Sequence, residues 1–267
     1  VIDSETYISL RQSLEQMEYS KALIYVFDNS TDENIRESNK KYALKKKIIY
    51  RTSNTNVGLS KAYNFLIDEI RENKDYENDY FVTFDDDTEI RNCYLQELIK
   101  VIENEEADVY LPVVYANGII ISPSNCLCYA KVLIVDNVSK INLNYVTGIN
   151  TGLCIRITTF SKIRYNEELF LDNVDHSLFE SIHRNNLKIF ILKNSILYQK
   201  YSQFEKVSKN RKLERFRITL SDNKIYAKSS WIKKIFFRFS GMRQAKRLDK
   251  EYYTDSFMKL YKCVWKS

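Results

Sequence analysis

The sequence predicts an α/β fold, a mostly parallel sheet flanked by helices, with a helical C-terminal extension. Three observations carry this. Strand-length apolar runs alternate with helix-period stretches as far as about Gln203, the pattern of a doubly wound sheet. The run Tyr80-Phe-Val-Thr-Phe84 is apolar enough for a central strand buried on both faces, and it stops abruptly in Asp85-Asp86-Asp87. Beyond Gln203 the composition changes: Lys and Arg dominate, interleaved with Phe, Trp and Tyr. The predicted division is 1–203 for the α/β domain and 204–267 for the basic, aromatic extension.

The chain has 267 residues, room for one large domain with an appendage or for two small ones. Hydrophobic residues are 44% and charged residues 28%, as in ordinary globular proteins. With 5 Gly and 2 Pro, a loop-rich or collagenous chain is excluded. The cysteines do not make a zinc pattern: Cys126-Leu-Cys128 is too close for paired thiolate ligands and no second pair exists. Their odd number, without a recognisable signal peptide, favours a reducing, cytosolic compartment. No apolar run approaches the roughly 20 residues that span a bilayer.

The elements follow in order. Asp3 to Met17 reads as a helix capped by Asp3 or Ser4, with Tyr7, Leu10, Leu14 and Met17 on one face. Ala22–Phe27 is a strand ending in Asp28-Asn29-Ser30-Thr31-Asp32, short polar side chains that favour turns and caps. A polar helix runs to about Ala43, and Lys47–Tyr50 is a short strand. Gly58 opens a helix from about Leu59 to Glu72, with Leu59, Ala62, Leu66 and Ile70 inward. A Gly at a helix start can present backbone amides to a phosphate; it is also a plain helix cap. After the Asp triplet come a helix, Asn92–Ile102, and a strand, Asp108–Tyr115. Ser122–Asn142 has mixed character, in the manner of a hairpin or flap. Asn144 to Gly152 is a polar loop entering a short strand, Leu153–Ile157. A second acidic cluster, Asn166 to Asp175, opens a helix to about Arg184, and Lys188–Leu192 is a last strand. Ser230–Ser240 is a basic amphipathic stretch, suited either to an anionic membrane surface or to packing with a solvated basic face. No base-reading motif accompanies the charge, so nucleic acid is not the expected partner.

Three adjacent carboxylates repel one another unless a cation sits among them, and hard divalent ions take carboxylate and phosphate oxygens together. Ligands of open α/β sheets bind outside the carboxyl ends of the strands. The triplet at a strand end therefore suggests a metal–phosphate site at Asp85 and Asp87. The competing reading is a solvated acidic turn. For Asp172 the competing reading is a carboxylate stabilised by the helix dipole.

Taken together, these motifs resemble family 2 glycosyltransferases, which have the GT-A (nucleotide-diphospho-sugar transferase) fold, and among them bacterial rhamnosyltransferase-like enzymes of surface polysaccharide biosynthesis. The resemblance covers roughly residues 1–203 and keeps the family's order. Val26-Phe-Asp28-Asn29-Ser30-Thr31-Asp32 looks like "VDNgStD", Asn56-Val-Gly58-Leu-Ser-Lys-Ala62-Tyr-Asn64 like "NxGxaxAxN", and Phe84-Asp85-Asp86-Asp87-Thr88 like the DxD motif "LDqDt". Asn150-Thr-Gly152 followed by Glu168-Leu-Phe-Leu-Asp172-Asn-Val-Asp175 looks like "SG…ElFiDyvD".

The resemblance implies an inverting transfer of a sugar, possibly rhamnose, from a UDP- or dTDP-linked donor to a hydroxyl of a saccharide or lipid-linked saccharide. Asp175 would be the base. Asp28, Asn56, Gly58, Asn64, Asp85 and Asp86 would bind the nucleotide donor. Asn150, Thr151, Gly152, Asp172 and His176 would form the acceptor or sugar region. Asp87 with Asp85 would hold Mg²⁺ or Mn²⁺. The partners would be the donor, the acceptor and a membrane surface met through the extension, in the cytoplasm at the inner face of the membrane, with no nucleic acid. Two departures stand out. The family's first strand is not present, which implies that a natural N-terminal segment is lacking. No His stands near Tyr198-Gln199, where many relatives hold the metal, which leaves water or Gln199 as substitute.

Rival readings are weaker. A nucleotidyltransferase needs a Gly-rich, basic phosphate loop, and none is visible. A haloacid-dehalogenase-like phosphatase needs Asp-x-Asp-x-Thr, whereas Thr88 directly follows Asp87. The remaining alternative is a non-catalytic subunit of the same fold that binds a partner transferase or the membrane.

Overall fold

In the computed structural model of the chain, residues 5–16, 22–72, 75, 78–90, 92–199 and 208–266 are described. The first helix, α1 (Glu5–Gln16), buries Tyr7 and Leu14 as expected; its expected caps and Met17 lie outside the described residues. Then follow β1 (Tyr25–Asp28), α2 (Glu33–Lys46), β2 (Ile49–Thr52), α3 (Leu59–Glu72), β3 (Tyr80–Val82), β4 (Thr88–Glu89), α4 (Asn92–Asn104) and β5 (Val109–Ala116). β6 (Ile119–Ser122) follows, and the Ser122–Asn142 region then supplies a hairpin of β7 (Ser124–Leu127) and β8 (Lys131–Leu133). Next come β9 (Val146–Thr147), β10 (Cys154–Arg156), α5 (Val174–Arg184) and β11 (Ile189–Gln199). Three helices end the chain, α6 (Lys209–Tyr226), α7 (Trp231–Glu251) and α8 (Ser256–Lys266). None of the described helices is long and apolar enough to cross a membrane.

Short polar side chains set the boundaries. Asp32 caps α2, accepting from the Asn34 and Ile35 amides. Gly58, at φ +83°, precedes α3. The main sheet runs in the order β3-β10-β5-β11-β4, with β6 also on β5; β1 and β2 form a separate parallel pair. β5 and β11 are parallel, but β10 lies antiparallel between β3 and β5, and β4 is antiparallel to β11. The expected mostly parallel sheet is therefore mixed, and the Tyr80 strand is at the end of this path rather than central. Apolar periodicity fixes which face a strand buries, not its direction. β11 also outruns its expected end at Leu192, reaching Gln199 past an irregularity between Leu192 and Ile196. This extension carries Gln199 to the Asp triplet.

The sheet is covered on both faces. Val109 and Leu111 of β5 and Ile155 of β10 join the core under α3 and α5. Tyr110, Val114 and Cys154 point the other way, into the core under α1 and α4. Successive strand residues alternate faces, which is why these runs read as continuously apolar.

The C-terminal helices have a small core of their own, Phe216, Leu220, Ala245, Leu248 and Phe257. They are also joined to the main body, because Tyr226, Ala227 and Phe237 belong to the α3–α5 core. Lys233 of α7 is 1% exposed; its ammonium meets Glu180 of α5 and lies 3.7 Å above the Tyr226 ring. Burial lowers the Lys233 pKa, with Glu180 opposing. The predicted boundary at 203/204 lies outside the described residues.

Candidate active site

A cleft of about 170 Å³ opens at the ends of β3 and β11, lined by Leu59, Asp85, Ile149, Asn150, Leu171, Val174, Asp175 and Gln199. Two regions predicted from motifs 90 residues apart thus share one cavity. Asp85 and Asp175 both face it.

Asp85 is held through both its backbone and its carboxylate. Its backbone N–H donates to Thr151 Oγ1 at 3.0 Å, and Thr151 contacts Thr88 Oγ1 at 3.0 Å. Gln199 Nε2 donates to Asp85 Oδ2 and to Asp87 Oδ1, both at 3.0 Å. Burial, and after it the nearby Asp87 and Asp175 charges, push the Asp85 carboxyl up to about 6 against the pull of its hydrogen bonds. Asp87 is raised as well, chiefly by burial, with Asp86 contributing. Asp86 itself is exposed.

Because the Asp85 pKa is raised in the folded state, its proton favours folding. That contribution is complete below the unfolded value near 4 and lost as pH rises through about 6. Asp85→Asn is therefore expected to melt above wild type at about pH 8 and level with it at about pH 4, measured by thermal melts across that range.

The 150–152 loop is built into the sheet end. Gly152 N–H donates to Thr83 O at 2.7 Å, Tyr94 OH donates to Gly152 O at 2.8 Å, and Tyr165 OH donates to Asn150 Oδ1 at 3.2 Å. Gly152 has φ +73°, and a Cβ there would run into Leu197 and stand 2.8 Å from Pro112. Asn150 and Thr151 are thus cleft or supporting residues, and Gly152 permits the close approach.

Asp175 is the second residue of α5 and accepts from the His176 N–H at 2.8 Å. His176 Nδ1 is 2.8 Å from Thr147 Oγ1. The segment before α5 is held from the C-terminal extension. The Asp222 carboxylate of α6, 1% exposed, accepts the amides of Phe170, Leu171 and Asp172 at 3.1, 2.8 and 2.8 Å. Arg215 makes a bidentate pair with Asp172 at 2.5 and 2.7 Å, and Asn173 donates to Asn223 at 2.8 Å. Phe170 O accepts from Leu59 N at 2.8 Å, and a Cβ on Gly58 would stand 2.7 Å from that same oxygen. So Gly58 lets the start of α3 dock on the loop that leads to Asp175.

The remaining expected donor residues do not line this cavity. Asp28 is 6% exposed. Its carboxylate accepts from Asn39 at 2.6 Å, Tyr50 OH at 2.8 Å and Ser30 N at 2.8 Å. Burial pushes the carboxyl up, but these bonds outweigh it and hold the pKa below the ordinary value. The Asp28 loop joins the Gly58 loop through Asn29, which accepts from Val57 N and donates to Gly58 O. Asn56 accepts from Gly58 N at 2.9 Å. Asn64 differs from expectation: it is 2% exposed and its amide bonds Tyr165 N, Tyr165 O and Glu167. All its donors are thereby occupied, so it tethers the 165–167 segment instead of facing a donor. Asp172 likewise faces Arg215.

Sequence reasoning missed Arg215, Asp222, Tyr63 and Tyr165. The two tyrosine rings lie 4.8 Å apart, tilted by 31°, and both phenols are pushed up by burial and by Asp85 and Asp175. Only their place beside the Asn64 and Glu167 motifs hinted at this.

The donor chemistry fits a hard divalent cation. Asp85 Oδ2 and Asp87 Oδ1 converge on one point, now taken by an amide nitrogen carrying partial positive charge. Among the described residues no cluster of three or more His, Cys, Asp or Glu side chains gathers. Mg²⁺-type sites commonly use only one or two carboxylates, with water and substrate phosphates completing the shell.

With this geometry in place, the comparisons with known proteins decide the architecture. S. aureus TarS 1–349 in complex with UDP superposes with a TM-score of 0.52 at 20% identity, covering 82% of this chain and 62% of that one. The chain has the GT-A glycosyltransferase fold. A second TarS 1–349 structure, with UDP-GlcNAc, has a TM-score of 0.51 at 15% identity and covers 98% and 88%. GalNAc-T7 with UDP, GalNAc and Mn²⁺ gives 0.52 at 13% identity, covering 90% and 50%. This GT-A chain thus spans 62% of the length of the TarS–UDP structure it matches. Its residues 6–123 match the family described as "Glycosyl transferase family 2", the segment that carries Asp28, Gly58 and the Asp triplet but not Asp175. No curated protein matches in sequence.

Proposed function

We propose that the protein is a family 2 glycosyltransferase that moves a sugar from a nucleoside diphosphate to an acceptor hydroxyl with inversion. The observation that carries this reading is the shared cleft, with Asp85, Gln199 and Asp175 on its walls and Asp87 tied to them through Gln199. The match of residues 6–123 supports it. UDP is the favoured nucleotide, because the TarS and GalNAc-T7 structures hold UDP or UDP-GlcNAc; dTDP and a rhamnosyl donor stand as alternatives for the same test.

Asp175 takes the proton of the attacking hydroxyl as the oxygen closes on the anomeric carbon. The bond to the diphosphate oxygen breaks, and the nucleoside diphosphate leaves. Asp87 and Asp85 would hold Mg²⁺ or Mn²⁺, which when bound supplies Lewis-acid stabilisation of the departing diphosphate. Gln199 donates to both of these carboxylates and keeps them together. Asn150, Thr151 and the 170–175 loop shape the sugar side of the cleft, with His176 beside it. Asp28 acts at the nucleotide end by ordering the loop that reaches Gly58. The acceptor is a saccharide or lipid-linked saccharide. Five free cysteines support a reducing, cytoplasmic setting.

One base and one displacement predict an inverted anomeric centre. Incubation with UDP-sugar donors and a saccharide acceptor panel, followed by NMR of the first product formed, is expected to show inversion. A retained configuration would overturn the single-displacement mechanism.

A further inference from the structure

The charge of this chain is sharply divided. Residues 208–266 hold 17 Lys and Arg against 5 Asp and Glu, a net of +12, while residues 1–207 hold 24 against 30, a net of −6. Within the basic part, α7 packs inward through Lys233, Phe237, Gly241, Ala245 and Leu248. Its other face should then be polar if it were simply solvated. It is only partly so: Trp231 is 71% exposed, Ile235 49%, Phe239 56% and Ile232 39%.

Trp231, Ile235 and Phe239 are four residues apart, so on a helix they fall within an arc of about 80°. Exposed Lys234 and Arg238 border this stripe, and Arg243 and Lys246 continue the charge along the helix. Single exposed apolar residues are ordinary, but a contiguous apolar strip rimmed by cations marks an interaction surface.

We infer that the α7 face of Trp231, Ile232, Ile235 and Phe239 docks on an anionic phospholipid bilayer. A bilayer satisfies both halves of the surface. The side chains enter the headgroup–acyl boundary, and the flanking cations meet anionic headgroups. A nucleic acid would use the charge but leave the isoleucines in water. A second copy of the chain would bring two +12 surfaces together. This docking is independent of the nucleotide site. With the acceptor reading above, it holds the enzyme where a lipid-linked acceptor resides.

The test is co-sedimentation of the full chain with vesicles of phosphatidylcholine alone and of phosphatidylcholine with phosphatidylglycerol. Partition onto the anionic vesicles is expected to be at least about tenfold higher. Replacing Trp231 and Phe239 together by Ser lowers it by about tenfold or more, and Lys234→Glu with Arg238→Glu does so independently. These residues are exposed, so unchanged melting verifies folding, and unchanged UDP affinity separates this result from the donor site. Equal partition onto the two vesicle types overturns the inference. So does anionic binding that both double variants leave intact, or a solution dimer that the Trp231/Phe239 variant dissolves.

Discussion

Asp175→Asn is expected to abolish sugar transfer, by roughly 10²–10⁴-fold in turnover, while leaving UDP affinity within about twofold. The amide keeps the volume of the side chain. It also keeps an oxygen able to accept the His176 N–H, as Asp175 does at 2.8 Å, so α5 still starts in the same place. What it loses is the capacity to take a proton. The Asp85–Gln199–Asp87 cluster lies on other segments and keeps its hydrogen bonds, and loss of the Asp175 charge only eases ionisation of Asp85. Parallel turnover and binding measurements check this, and near wild-type turnover would reassign the base.

Asp222→Ala should have the next largest effect, from a residue on the extension and away from the reacting atoms. Its carboxylate is the common acceptor of three consecutive amides, Phe170 to Asp172. A buried donor left without its partner costs about 1–3 kcal/mol, so stability should fall by roughly 3 kcal/mol or more. Arg215, paired with Asp172, cannot replace that acceptor. The loop that carries Leu171 and leads to Asp175 then loosens, and turnover drops by about tenfold or more with UDP affinity little changed. Urea unfolding and steady-state kinetics check both halves. A destabilised variant with full turnover would show that the loop keeps its shape without Asp222.

Much of the site was legible because its signals are local. A strand running into three carboxylates, a Gly opening α3 and an acidic helix start at Asp175 each lie within a dozen residues. Their ordered occurrence placed them in one fold, and Asp85, Asn150 and Asp175 do share one cleft. The C-terminal clamp was not legible. Arg215 and Asp222 act on a loop 43 to 52 residues earlier, from a segment whose composition reads only as basic and aromatic.

The misreadings have similar causes. Asn64 looked like a donor ligand because its spacing from Gly58 fits the motif; only the fold shows its amide facing Tyr165 and Glu167. Strand direction is likewise invisible to periodicity, so β10 entered a sheet expected to be mostly parallel. Gln199 was legible only as a stand-in for a missing His. Its bridge between Asp85 and Asp87 depends on β11 running seven residues past its expected end.

The central claim is that Asp85 and Asp87 form a cation-dependent nucleotide diphosphate site opposite Asp175. Calorimetric titration of UDP with and without Mn²⁺, on wild type and Asp87→Ala, tests it most directly. Binding that requires Mn²⁺ in the wild type and is lost in Asp87→Ala is the predicted result. UDP binding of equal strength with and without Mn²⁺, unchanged in Asp87→Ala, would contradict it.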